Sequence, residues 1–233
     1  MEFLLLIEDR RGEAPRGSVS PDEMGKFGRE LAESGVMRGA AGPLRPESEA
    51  ARARTVSGQR VASDGAGAAP MVLVGFFAVD VADRAAAIEL AKRCPYARVG
   101  VVEVRAARYT RVSEADGRPQ FLLLYLHDSS GRPSEARIRE GMVEMRAFAD
   151  EVTREGKYLA GAVLPPGVPP ARIEIRGAQA LVTDGPFAEA KEVFGGFALI
   201  QAASRAEAIE IAKRCPSSSW GVTEVREVGL IPK

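Results

Sequence analysis

The chain has 233 residues, 45% of them hydrophobic and 27% charged, with 32 basic and 32 acidic side chains. This is the profile of a folded globular protein of one large or two small domains. A formal net charge of +0 leaves no basic surplus for nucleic-acid binding, and two cysteines are too few for a disulfide scaffold or a structural zinc site, so a reduced, cytoplasmic setting is expected.

An apolar run at 3–7, bounded by Glu8-Asp9-Arg10-Arg11, reads as a buried strand. It is too short to span a membrane and has no basic leader, so neither a signal peptide nor an anchor is expected. Ser20-Pro21-Asp22-Glu23 combines an N-cap, a proline at the first helical position and a capping-box glutamate. Met24, Phe27 and Leu31 then share one helical face, and Gly35 stands where that helix should end. A strand around 36–44, a turn-rich hairpin at 53–63 and a strand at 71–80 follow. A second helix starts near Asp83 and stops at Pro95, and a strand at 99–105 closes the set. The polar stretch Ala106 to Pro119 reads as a linker.

The same order then returns. A strand at 121–126 leads to a helix capped by Ser134, with Ile138, Met142, Met145, Ala149 and Val152 as its apolar stripe and Gly156 at its end. A strand at 157–164, a hairpin at 171–183, a strand at 196–202, a helix opened by Ser204-Arg205-Ala206-Glu207 and stopped by Pro216, and a strand at 220–226 complete it. The letters repeat as well. Residues 87–95 and 208–216 match at eight of nine positions, 121 residues apart. The same offset carries Glu103-Val104-Arg105 onto Glu224-Val225-Arg226, and an offset of 120 carries Asp64-Gly65 onto Asp184-Gly185. A period this long means two domains: 1–106, a linker at 107–119, and 120–233.

Each half is a β-α-β unit, a hairpin and a second β-α-β unit, which predicts an α+β, ferredoxin-like module: an antiparallel four-stranded sheet with two helices on one face. The other sheet face would be bare and apolar, so it needs a partner. Fusion supplies one, and the expectation is an intrachain pseudo-dimeric α+β barrel, with a further homodimer left open.

Asp184-Gly185-Pro186-Phe187-Ala188-Glu189-Ala190-Lys191-Glu192, then Gly195-Gly196-Phe197, then Glu224-Val225-Arg226, resembles the DGPF branch of the YCII-related family. The resemblance covers most of 120–228 and reaches the first half through its helix and its Glu-Val-Arg strand. It implies a dimeric α+β barrel fold, tandem members, and enzymatic work by a histidine and an aspartate. One related branch acts as a dehydrochlorinase. Lactone isomerases, polyketide cyclases and cofactor-free monooxygenases share the barrel. The chain departs from the pattern twice: neither 20–34 nor 134–155 carries the histidine usual in the first helix, and Asp64-Gly65 leads into Ala66-Gly67-Ala68-Ala69-Pro70 instead of Pro-Phe. The first half therefore reads as a supporting half.

His127, the one histidine, ends a strand beside Asp128. It suits a general base near neutral pH or a surface loop. Asp184 suits a turn former or a pocket carboxylate. Lys191 suits an anion partner or a solvated charge, with Phe187 as a pocket wall. Tyr125 and Tyr158 on strands suit pocket donors or plain packing. Arg105 and Arg226 at equivalent strand ends read as structural, and Cys94 and Cys215 as small buried hydrophobes. No phosphate loop, dinucleotide spacing or nucleophile elbow is present, so no cofactor is expected. These readings converge on a cofactor-independent small-molecule isomerase, cyclase or lyase using His127 or Asp184 as base. The alternative is a non-catalytic module that binds a small ligand or a regulatory partner.

Overall fold

The computed structural model describes residues 1–13, 16–65, 67, 69–111, 113–128, 135–165, 168–185 and 192–229. The first half holds β1 (Glu2–Arg10), α1 (Pro21–Glu33), β2 (Met37–Pro43), β3 (Ala51–Val56), β4 (Gln59–Asp64), β5 (Met71–Asp80), α2 (Arg84–Arg93) and β6 (Val101–Ala106). The connecting stretch contributes a short strand, β7 (Arg108–Arg111). The second half holds β8 (Gln120–Asp128), α3 (Glu135–Arg154), β9 (Tyr158–Val163), β10 (Ala171–Arg176), β11 (Gln179–Asp184), β12 (Glu192–Gln201), α4 (Arg205–Arg214), α5 (Ser217–Trp220) and β13 (Val222–Glu227).

Short-range chemistry sets most of these boundaries. The Glu23 amide donates to Ser20 Oγ at 3.2 Å and the Ser20 amide donates to Glu23 Oε2 at 3.0 Å, a closed capping box with Pro21 behind it. Asp83 caps α2 through the Ala86 amide at 2.8 Å, and Ser204 caps α4 through the Glu207 amide at 3.3 Å. Gly35 and Gly156 adopt φ of 73° and 67° just past their helices, where a Cβ is disfavoured. The cap read at Ser134 lies outside the described residues. On α3 the buried stripe runs through Gly141, Met145, Phe148, Ala149 and Val152, while Met142 is exposed. Met142 therefore drops out of the apolar stripe expected from the helical spacing.

Within each half the sheet order is β6-β1-β5-β2 or β13-β8-β12-β9, all antiparallel, the ferredoxin-like order expected. The hairpins depart from a simple side-by-side fusion. The first half's β3–β4 hairpin pairs with β13 of the second half, and the second half's β10–β11 hairpin pairs with β6 of the first. Each sheet is thus completed by an arm from the other half. Ala51 and Ala53 lie in the core between the second half's sheet and helices. Ala171 and Ile173 do the same for the first half.

The inner sheet faces share a third core, with Leu4, Leu6 and Phe76 from one sheet and Leu122, Leu124 and Phe197 from the other. Phe76 and Phe197 meet with ring centroids 5.4 Å apart. The sheets also touch at two corners. β7, inside the stretch read as a linker, pairs with β9, and Leu44 bridges to Val228. Even so, among the described residues they remain two open sheets of six and seven strands and not the closed barrel expected. The exchanged hairpins occupy an outer edge of each sheet, and a single bridge forms one corner. Among the described residues no helix is long and apolar enough to cross a membrane.

The β3–β4 turn places Ser57 at φ 49° and Gly58 at φ 78°. This left-handed pair is natural to Asn-Gly and unfavourable for serine. Ser57→Asn is expected to raise stability by about 0.5 kcal/mol, read as a higher urea midpoint at unchanged slope; a lower midpoint refutes the account of that turn.

Candidate functional site

Strand alternation brings charge onto the inner faces. On β1 the inward series Leu4, Leu6 continues to Glu8. On β6 Glu103 lies opposite Leu6 and Arg105 opposite Leu4. The exchanged hairpin sets Arg172 directly opposite Glu103. Four charged groups therefore meet at one end of the space between the sheets, three from the first half and one from the second.

Arg105 Nη1 donates to Glu103 Oε1 at 3.1 Å, and Arg105 Nη2 reaches across to the Phe194 carbonyl of the opposite sheet at 3.2 Å. Arg172 stands 3.9 Å from both Glu8 Oε2 and Glu103 Oε2, beyond hydrogen-bond range. Glu8 Oε2 is buried with no hydrogen-bond partner among the described residues. The side chains of Glu8, Glu103 and Arg172 are only 13%, 9% and 9% exposed. Burial, reinforced by Glu103, pushes the Glu8 carboxyl up to about 8, against the opposing pull of Arg172 and Arg105.

His127 follows Leu126 on β8, so alternation sets it with Phe121, Leu123 and Tyr125 on the helix-facing side of the second sheet, where the Arg105 charge still reaches it. It sits on β8 opposite Val193, next to the residue whose carbonyl Arg105 holds. A Cβ on Gly195 would come within 3.3 Å of its imidazole, so the glycine lets the ring lie against the backbone. Burial first, and the Arg105 charge second, lower its pKa below the usual value, which favours the neutral base.

A related cluster occupies the pseudo-equivalent end, where Arg52, Glu224 and Arg226 repeat Arg172, Glu103 and Arg105. Its second acid is Glu192 from β12, not a β8 residue. Hydrogen bonds tie this cluster together. Arg52 donates to Glu192, the Gly67 amide donates to Glu224 Oε2 at 3.3 Å, and Arg226 donates to the Arg45 carbonyl at 2.7 Å. Gly67 lies against it, since a Cβ there would come within 2.9 Å of Arg52 and Glu192.

Of the residues singled out by sequence and described, Arg105 lies in the charged slot, and His127 lies on the opposite sheet within reach of its charge. Asp184 ends β11 on the other sheet, 68% exposed, in an ion pair with Arg84 at the start of α2. Asp64 is bound in the same way by Arg205 at 2.6 Å. The structure does not bring Asp184 to His127. It uses both Asp-Gly aspartates as clasps between an exchanged hairpin and a helix of the other half. As an exposed pair, Arg84–Asp184 contributes ~0.2–1 kcal/mol, so Asp184→Ala is expected to shift the unfolding midpoint only slightly; a loss beyond ~2 kcal/mol would show a buried role instead. Tyr125 and Tyr158 do come together, but between sheet and helices beside Cys215. Burial raises both, Tyr158 to about 12, which keeps them neutral. Phe187 and Lys191 lie outside the described residues. Cys94 and Cys215 are buried and free.

The model of the YCII-related domain matches twice, over 1–109 and 121–231. The chain belongs to the YCII-related family. Its two copies of the YCII-related domain fit an intrachain pseudo-dimer. A similar protein is the uncharacterized protein R00369 of Rhizobium meliloti (strain 1021), 35% identical over 91 residues, which cover 38% of this chain and 73% of that protein. Sequence reading of this YCII-related chain missed Glu8, Glu103 and Arg172. The available signal was the Glu-Val-Arg strand present in both halves: a glutamate inside an apolar strand needs a buried partner.

Proposed function

We propose that the chain is a cofactor-independent small-molecule enzyme of the isomerase, cyclase or lyase kind, with the DGPF-branch features of 184–187 as part of that reading. Proton transfer takes place at the slot formed by Glu8, Glu103, Arg105 and Arg172, with His127 near its border at the end of β8. The observation that carries it is an inversion of proton affinities. Glu8, an acid, is raised to about 8, while His127, a base, is lowered, and both lie in the field of Arg105. Two titratable groups displaced in opposite directions have the character of an acid and a base assigned to separate roles. Near pH 7 His127 is free to take a proton and Glu8 has one to give.

The simplest reaction open to that pair is an isomerisation. His127 removes a proton from the carbon between a carbonyl and a C=C bond; the C–H pair forms a new C=C bond and the carbonyl π pair moves to oxygen. Glu8 delivers its proton to that oxygen, which gives a dienol. Glu8 takes the proton back, the carbonyl re-forms, and the far carbon of the dienol takes the proton held by His127, which leaves the C=C bond conjugated with the carbonyl. Arg105 and Arg172 stabilise the negative charge that develops on oxygen. No other reactant is needed.

The test is solvent deuterium exchange into a panel of small ketones and keto acids in D2O, followed by NMR. Catalysed exchange is expected from the natural chain, with a bell-shaped pH profile: its acid limb lies below the ordinary histidine value and its alkaline limb near 8. Both Glu8→Gln and His127→Ala should lower exchange by ~10²-fold or more. Exchange unaffected by either substitution sinks the assignment. One observation favours the non-catalytic alternative: the middle of the inter-sheet space is filled by apolar side chains. A cleft of about 160 Å³ beside Tyr109, Ser113 and Gln120 is small for a substrate pocket. Ligand binding without exchange would support that alternative.

A further inference from the structure

Among the described residues the two sheets end in open edges at β2 and β11 on one, and at β4 and β7 on the other. An edge strand carries backbone N–H and C=O groups with no partner on its outer side, and proteins guard such edges with charge, proline or a broken register. β2 breaks its register between Met37 and Ala41 and ends in Pro43. β7 has four residues and starts and ends on arginine. β4 carries Arg60. β11 has none of these guards. From Gln179 to Thr183 it holds no charge, and it pairs with β10 in unbroken register over all six of its residues.

The repeat sharpens the contrast. At an offset of 120, Arg60, Val61, Ala62 and Ser63 of β4 become Ala180, Leu181, Val182 and Thr183 of β11. The charge is gone, and Ala62 and Ser63 give way to the stronger strand formers Val182 and Thr183. Val182 is 43% exposed. The open side of β11 also has a definite phase. Bonded and non-bonded pairs alternate along an antiparallel ladder. The Gly185 amide donates to the Pro170 carbonyl at 2.9 Å, one step past the Asp184–Ala171 pair. Leu181 and Thr183 therefore turn their backbone groups to β10, and Ala180 and Val182 turn theirs outward.

We infer that β11 is the contact through which two copies of this chain form a reversible dimer, β11 against β11 in antiparallel order about a two-fold axis. Centred on Leu181, that pairing is self-complementary. Ala180 lies opposite Val182 of the partner subunit, and the two exchange backbone hydrogen bonds. Gln179 meets Thr183 of the partner subunit, Leu181 meets Leu181 of the partner subunit, and no charge lies opposite a like charge. The contact continues an interface the chain already uses. β10 of the same hairpin adds to β6 of the first half, so a second β11 extends that sheet outward. A formal net charge of +0 sets up no general repulsion between copies. A surface that pairs with itself closes at two copies. Six residues a side make a contact smaller than the ~1,200 Å² of a standard interface, so the dimer is transient, with a dissociation constant on the order of 10–100 µM.

The test is sedimentation of the full chain from about 1 to about 500 µM, with amide hydrogen exchange read by NMR at both ends of that range. The mass should rise from one chain towards two and stop there. The Ala180 and Val182 amides should gain protection severalfold at the high concentration, while those of Leu181 and Thr183, bonded to β10, should be protected at both. Ala180→Arg, which copies Arg60 of β4, should weaken dimerisation roughly tenfold or more at an unchanged melting temperature. Val182→Lys should do the same and serves if the first variant fails to fold. Val61→Lys, on β4, should leave dimerisation within about a factor of two. A single mass across the range would leave the edge to some other strand and overturns the inference. Growth past two copies would mean that β11 pairs with a different edge of the next copy, and overturns it as well. So does exchange at Ala180 and Val182 that is flat with concentration, or an Ala180→Arg chain that dimerises as tightly as Val61→Lys.

Discussion

Residues 1–119 expressed alone should not give a folded monomer. Without its partner the fragment loses Ala171 and Ile173 from its helix–sheet core and exposes Leu4, Leu6 and Phe76 on its inner face. Exposure of those three large side chains alone costs roughly 5–9 kcal/mol, comparable with the whole ~5–15 kcal/mol stability of an ordinary domain. The fragment should aggregate, bind a hydrophobic dye, or dimerise by repeating the hairpin exchange with a second copy of itself. Co-expression with residues 120–233 should restore a soluble, cooperatively unfolding complex. Size-exclusion chromatography and thermal melts read the outcome. A soluble, cooperatively melting monomer of 1–119 would refute the view that the two halves form one folding unit.

Replacement of the buried acid should stabilise the protein, and should do so only above a certain pH. The carboxyl of Glu8 has a folded-state pKa of about 8, above its ordinary value of 4.5. Its contribution to stability is therefore intact below 4.5 and is lost as pH rises through 8. Glu8→Gln keeps the uncharged shape and has no proton to lose. At pH 4 the two chains should unfold at nearly the same urea concentration. By pH 8.5 the Gln variant should be more stable by on the order of 5 kcal/mol, from the ~1.4 kcal/mol that accompanies each pH unit of displacement. The same variant should have lost proton exchange. A gain in stability together with a loss of chemistry is the pattern of a group kept for function. A Gln variant that is less stable at pH 8.5 would instead make Glu8 a structural ion.

The helices and strands were legible because their signals are local. Ser20-Pro21-Asp22-Glu23 determines a helix start from four consecutive residues, and the repeat at 87–95 and 208–216 announces two modules. The exchange of hairpins was illegible for a physical reason. Arg52 meets Glu224 across the strands, but Glu103 in its own half would offer the same partner at the same position, and Arg172 faces the same choice in mirror image. Local chemistry is degenerate between the two pairings. The choice is made by chain geometry and by the burial of whole faces. Glu8 was visible, but its place at the end of an apolar run made it read as a boundary charge. Alternation carries it one step further inward, behind Leu4 and Leu6, where the exchanged hairpin covers it. His127 was found because a single histidine is conspicuous. The alternative base was Asp184, which the fold uses to hold a hairpin to a helix.

The exchanged hairpins also determine what a single substitution can change. In a symmetric pair of identical chains, one altered codon changes both inter-sheet slots at once. In the fused chain each of Glu8, Arg172, Arg52 and Glu192 is encoded once and serves one slot. One slot can then change while the other keeps its own pairing. Because each half supplies the other's arm, neither can drift far on its own, and the two copies are bound to diverge in function while remaining matched in shape.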